Sequence, residues 1–235
     1  MKLANPELSI IIPTINEEET IGLLIDEIKS RGDKFVEKEI IIADAGSRDN
    51  TAKIAADSGA RVVHCEVKGR AAQMNRGARS ASGSVLYFLH ADTIPPEHYD
   101  RKILMSVRNG FPAGCFQLRF DKQNVWYRLY GWFTRFKATW LRFGDQSLYA
   151  EKQLFDRISG FREDLILMED QEIVSRIKKS SPFRLENDHV TTSARRFEVN
   201  GVIRLQLIFG LIVALYYMGV KQGTLVHIYR TLIKS

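Results

Sequence analysis

The stretch LSIIIPTINEEETIGLLIDEIKS, Leu8 to Ser30, decides the fold. Leu8–Ile12 is a short apolar run, the pattern of a strand buried on both faces, and Pro13 is expected to end it. Asn16, followed by Glu17, Glu18 and Glu19, reads as a helix start, because acids favour the positive end of a helix dipole. Ile21, Leu24, Ile25 and Ile28 then recur at helical spacing. Strand, polar turn and helix are thus laid out within thirty residues.

The same alternation repeats downstream. Glu39–Ala43 reads as a strand, Asp44–Asn50 as a polar turn and Thr51–Ser58 as a short helix. Arg61–Cys65 is a third strand, Arg70–Ala81 a helix of small residues, and Val85–Leu89 a strongly apolar fourth strand. Strands alternating with helices imply an α/β protein with parallel pairing through right-handed crossovers. Ligands in such sheets bind beyond the carboxyl ends of the strands, so the polar residues there matter most: Thr14, Asn16, Glu17, Asp44, Asp49, His90 and Asp92. Beyond Asp92 the pattern loosens. A helix is expected near Glu97–Arg108, strands at Cys115–Phe120 and Gln146–Ala150, and a helix at Asp170–Lys179.

The 235 residues suffice for one substantial core, here a catalytic domain over 1–200 with a helical tail over 201–235. The formal net charge of +6 is uneven: residues 1–60 carry −5 and the remainder +11. That bias suits phosphates, an anionic membrane surface or nucleic acid, and charge alone does not choose among them. Trp126, Trp132 and Trp140 all fall in a basic aromatic segment, Trp126–Phe143. A nucleic-acid-binding module would use such a segment, but none of its usual motifs is present and the carboxylates would go unexplained, so no nucleic acid is expected. Cys65 and Cys115 are the only cysteines, which suggests neither a disulfide framework nor a zinc site. With no signal-peptide pattern over Met1–Leu8, a cytoplasmic location is expected, peripheral to the inner face of the membrane. Leu205–Val220, about 24 Å as a helix, is short of the ~20 residues that cross a bilayer. It reads as an interfacial helix, a dimer helix or a core helix.

Asp44, Asp92 and Asp170, each near a strand end or helix start, are expected to crowd one site, an arrangement that a hard divalent ion bound to a diphosphate would stabilise. A nucleotidyltransferase would also use such carboxylates, but it would place a Gly-rich loop after the first strand, and no glycine precedes Gly22.

Five stretches, in order, carry a resemblance. They are Ser9–Glu18 (SIIIPTINEE), Ile42–Thr51 (IADAGSRDNT), Lys68–Asn75 (KGRAAQMN), Phe88–Thr93 (FLHADT) and Met168–Gln171 (MEDQ). Together they resemble glycosyltransferase family 2, whose catalytic domain has the GT-A fold, a mostly parallel nucleotide-binding sheet flanked by helices. The resemblance implies inverting transfer of a sugar from a nucleotide diphosphate donor, UDP favoured and GDP the alternative, to an acceptor hydroxyl, lipid-linked if the tail meets a membrane. It implies that Pro13, Thr14 and Glu17 line the nucleotide pocket and that Asp44 accepts a hydrogen bond from the base. Lys68 and Arg70 stand where phosphates need cations, with Gly69 allowing close backbone approach. His90-Ala-Asp92 occupies the family's Asp-x-Asp position, so Asp92 is expected to hold Mn²⁺ or Mg²⁺ and His90 to ligate it or to bond the donor. Asp170 matches the general base, with Glu169 beside it orienting acceptor or base. Gly144-Asp145-Gln146 is similar to an acceptor-site segment. Ser193–Phe197 resembles the Arg-bearing motif of processive members without its Gln and Trp, so non-processive transfer is expected, with Arg195 and Arg196 facing the diphosphate.

Overall fold

The computed structural model describes residues 6–122 and 147–233. Trp126–Phe143 and Gly144-Asp145-Gln146 lie outside the described residues.

The first half alternates as its sequence pattern predicts. β1 (Leu8–Thr14), α1 (Ile21–Arg31), β2 (Lys38–Asp44), α2 (Thr51–Asp57), β3 (Arg61–His64), α3 (Arg70–Ser80) and β4 (Val85–Phe88) follow one another. The short β5 (Thr93–Ile94), α4 (Tyr99–Arg108) and β6 (Ala113–Phe120) come next. After these come β7 (Leu148–Glu151), α5 (Lys152–Arg157), α6 (Glu169–Ser180) and β8 (Phe183–Thr192). The chain then turns helical through α7 (Arg195–Asn200), α8 (Val202–Tyr217) and α9 (Gln222–Leu232).

Among the described residues eight strands form one sheet in the order β3-β2-β1-β4-β7-β6-β8-β5. β3, β2, β1 and β4 are parallel, whereas β7 runs antiparallel to both β4 and β6. The strand order reverses at β1, where the chain leaves β3 and returns on the far side as β4. Such a switch point opens a crevice at the carboxyl ends of the strands.

Alternate residues of β1 feed two cores. Ile10 and Ile12 join Ile21, Ile25 and Ile28 of α1 on one face, and Ile11 joins Met74 and Ala78 of α3 on the other. Burial on both faces accounts for the unbroken apolar run. α3 lies so close to β1 that a Cβ on Gly77 would stand 2.4 Å from Ile11 Cγ2.

Two local readings are corrected. Pro13 does not end β1, which continues to Thr14 in register with Asp44. Ile11 O accepts from Leu89 N–H, so Pro13, two residues on, faces the same side, where the β4 ladder has already stopped at Phe88. Its missing N–H therefore costs no ladder bond. Asn16 and the three acids do not start the helix either: α1 begins at Ile21 with no acid in its first turn. Asn16 takes a positive φ of 54°, and the backbone amides of Glu17 and Glu18 donate to Thr51 Oγ1 and Asp49 Oδ2. The acids thus stitch the β1–α1 loop to the turn after β2.

Residues 201–233 pack against the main body. Leu205, Ile208 and Ile212 of α8, with Ile233, join the same core as β1 and α1. No helix among the described residues is long and apolar enough to cross a membrane.

Candidate active site

A cavity of about 430 Å³ opens at the switch point. Pro13, Thr14 and Glu17 come from the end of β1, His90, Ala91 and Asp92 from the end of β4, and Lys68, Gly69 and Arg70 from the start of α3. Gly69, at φ 137° with no heavy atom within 4 Å of where a Cβ would stand, supplies a backbone conformation that other residues rarely adopt. Behind it α3 turns its amino end toward the cavity, a favourable place for an anion. Lys68 is exposed and makes no ion pair among the described residues. Arg196 completes the cationic wall and donates to Tyr229 Oη at 3.1 Å. Arg195 lines a second cavity instead, on the other side of Glu17, Ala91 and Asp92.

Asp44 is 4% exposed and does not line the cavity. Its Oδ2 accepts from the amides of Gly46 (3.0 Å) and Ser47 (2.9 Å), and its Oδ1 from the hydroxyls of Thr14 and Ser47. The carboxylate thus caps its own turn with both oxygens used.

Asp170 stands in the first turn of α6, directly after buried Glu169. Met168, just before, is held in the left-handed region at φ 71°, an uncommon state for a side-chain-bearing residue that the surrounding core must maintain. Burial pushes the Asp170 carboxyl up to about 7, the neighbouring Glu169 charge adds to this, and Arg70, the Gln171 amide and His90 oppose it. Arg70 Nε reaches Glu169 Oε1 at 3.0 Å, while Glu169 Oε2 is buried without a hydrogen-bond partner. The acid pair therefore touches the cavity through Arg70.

The Glu17 carboxyl is also raised above its ordinary value. Burial is the main cause, Asp92 adds to it, and Thr20 and Arg195 offset it. Asp92 is exposed on the cavity wall, with Oδ1 accepting from Thr93 Oγ1 at 3.2 Å. The expectation that Asp44, Asp92 and Asp170 crowd one site is corrected: no group of three or more His, Cys, Asp or Glu side chains among the described residues could hold a metal. The fold separates them because Asp44 is drawn under its own turn and Asp170, in the first turn of α6, does not line the cavity wall that carries Asp92. His90 and Asp92 remain side by side on one wall. One or two protein ligands suit an ion that takes its other oxygens from a diphosphate and water.

Several site residues carry no signal in the sequence. Gln73, buried in α3, donates from Nε2 to Thr14 O at 2.8 Å and Ala43 O at 2.7 Å, tying the ends of β1 and β2 together beneath the cavity. A Gln three residues after a basic loop gives no hint of that role. Val226, Tyr229 and Arg230 of α9 form part of the wall. Leu167 and exposed Ile166 complete it, held by Gln222, whose Oε1 accepts from both of their amides at 3.2 Å.

Residues 9–162, about two thirds of the chain, match the family model described as glycosyl transferase family 2. The chain belongs to glycosyl transferase family 2. The matched range holds every strand-end residue of the cavity and stops short of Glu169 and Asp170. Among curated relatives, glucosyl-3-phosphoglycerate synthase of Mycobacterium tuberculosis is 36% identical over 101 residues, covering 40% of this chain and 31% of the relative. The chain thus matches about a third of that relative's length. Two solved structures show the fold. The synthase from M. tuberculosis, crystallised with Mn²⁺, UDP and glucosyl-3-phosphoglycerate, superposes with a TM-score of 0.62 at 20% identity, covering 92% of this chain and 81% of that one. S. aureus TarS 1-349 gives a TM-score of 0.66 at 16% identity, covering 86% and 65%. The family-2 chain has the GT-A fold, with the parallel half of the sheet carrying the cavity.

Proposed function

We propose that this chain transfers a sugar, with inversion, from a nucleoside diphosphate donor to an acceptor hydroxyl. One observation carries the reading: a cation-lined cavity at the amino end of α3 is joined through Arg70 to buried Glu169, whose neighbour Asp170 is a half-buried carboxyl with its pKa raised to about 7. A general base works best when its pKa lies near the operating pH, and Asp170 meets that condition.

In this reading Pro13, Thr14 and Glu17 border the nucleoside, and Lys68, Arg70 and Arg196 face the diphosphate, with Arg195 flanking Glu17 and Asp92. UDP is the favoured donor nucleotide, supported by the UDP bound in the M. tuberculosis relative, with GDP the alternative. A contact from the base to Asp44 requires the Ser47 or Thr14 hydroxyl to give up its place on that carboxylate. Asp92 and His90 would hold Mn²⁺ or Mg²⁺. Such an ion supplies charge stabilisation to the departing diphosphate. Support for it within the chain is the proximity of Glu17 and Asp92, whose like charges a cation would relieve. Asp170 takes the proton of the attacking hydroxyl, Glu169 holds Arg70 in place beside it, and the cations of the α3 wall stabilise the leaving group.

The test is release of nucleoside diphosphate from a panel of UDP- and GDP-sugars, with Mn²⁺, Mg²⁺ or chelator. Metal-dependent release from at least one donor is the expected result. Failure to bind any nucleoside diphosphate would overturn the reading.

A further inference from the structure

α8 is apolar around its whole circumference apart from Arg204 and Gln206. Such a helix is normally buried on all sides. Here Leu205, Ile208 and Ile212 face the core, while Ile203, Leu207, Leu211, Ala214, and, at the end, Tyr217 and Met218 are exposed. At about 100° per residue these six fall within an arc of about 120°, with Arg204 at its edge. Leu207 is 70% exposed and Met218 78%. About a third of the circumference of an apolar helix therefore faces outward as one continuous stripe.

Charge selects what covers it. Residues 201–235 contain Arg204, Lys221, Arg230 and Lys234 and not one Asp or Glu. Arg204, Lys221 and Arg230 are exposed. Arg204 borders the stripe and Lys221 follows its end three residues after Met218, so a second copy docked stripe to stripe would bring these two cations against their own kind, whereas an anionic lipid surface complements both the stripe and its charges. At 16 residues α8 is too short to span, so it would lie in the plane of the interface.

We infer that the outward stripe of α8 docks this chain on an anionic bilayer surface. Docking also sets where the cavity faces. Tyr217 Oη lies 3.4 Å from Gln171 Oε1, next to Asp170, and Gln222 pins the loop Ile166–Leu167 that borders the cavity. The C-terminal end of the stripe thus adjoins the acid pair, and lipid headgroups beneath it lie close to the cavity mouth. The docking itself does not depend on the chemistry of that cavity.

The experiment is flotation of the intact chain with vesicles of phosphatidylcholine alone or mixed with equal phosphatidylglycerol. Binding is expected to the mixed vesicles and to weaken at high salt. Leu207→Gln combined with Leu211→Gln removes exposed side chains only, so folding should persist, which a thermal melt checks. Its partitioning should fall at least about tenfold. Lys221→Gln should lower binding about fivefold while leaving the apolar contact intact. The proposal is overturned if the intact chain does not float with anionic vesicles, or if the double leucine variant floats as well as the wild type. It is equally overturned if light scattering shows a dimer that the double variant converts to monomer, since the stripe would then be a subunit interface.

Discussion

The guanidinium of Arg70 lies 3.0 Å from Glu169 Oε1, and the Glu169 side chain is 2% exposed while that of Arg70 is 39% exposed. The buried anion thus depends on a partner that also lines the cavity. Arg70→Ala should cost about 1–3 kcal/mol of stability, because it leaves a buried carboxylate short of a partner. Adding Glu169→Gln should restore part of that loss. Urea denaturation of the wild type, both single variants and the double variant measures the coupling, and strict additivity would show that the pair contributes nothing.

Asp170→Asn should keep donor affinity and lower turnover by about 10²–10⁴-fold, the usual cost of removing a general base. Asn preserves shape but cannot take the proton. With the folded carboxyl raised to about 7, wild-type kcat should also fall as pH drops below that value. Diphosphate release and donor calorimetry report the two quantities separately. If Glu169→Gln loses turnover while Asp170→Asn retains it, the base is Glu169.

The same residue predicts a pH-dependent stability difference. A carboxyl raised from 3.8 to about 7 costs the fold nothing below its unfolded value; the cost builds between those values and is complete above 7. Asp170→Asn removes that cost. The variant should therefore be more stable than the wild type by up to about 4 kcal/mol at about pH 8.5, the whole rise taken at about 1.4 kcal/mol per pH unit, and by less than half of that at about pH 5. Thermal melts at both pH values decide it, and a gap independent of pH would mean that Asp170 is not perturbed by burial.

Asp92 should link nucleotide binding to a divalent ion. UDP with Mn²⁺ at about a hundred times its dissociation constant should stabilise the wild type by about 2.7 kcal/mol by mass action. Asp92→Ala should abolish the metal-dependent part of that gain. An undiminished, metal-dependent shift in the variant would remove Asp92 from the metal's coordination.

Gly77→Ala tests the fold without touching the cavity. The new methyl would meet Ile11 Cγ2 at 2.4 Å, so α3 or β1 must shift, at a cost of about 1–3 kcal/mol. An unchanged urea midpoint would show that α3 does not sit this close to β1.

The parallel half of the sheet is legible in the sequence because strands buried on both faces read as continuous apolar runs, as Ile10–Ile12 and Ile40–Ile42 do. β8 is not, because Phe183–Thr192 mixes Arg, Glu, Asn, Asp and His with only partial burial and pairs with β6 across a register shift. α5, at six residues, is too short to show a helical period. In the site, residues directly after a strand stand out, whereas Gln73 and Tyr229 do not. Gln73 bonds to backbone carbonyls, which any fold could offer, and Tyr229 comes to the cavity from more than 130 residues beyond Asp92.

That last distance bears on how the protein comes off the ribosome. The strands β1 to β4 and their helices are complete by Phe88, yet the wall that α9 supplies through Val226, Tyr229 and Arg230 is synthesised more than 130 residues later. A nascent chain can therefore hold the floor of the cavity, with Lys68 and Asp92 in place, long before its side is closed. Domains tend to fold from the amino end as they emerge. Nucleotide binding in stalled chains of increasing length would then mature last, after the sheet has already become resistant to proteolysis.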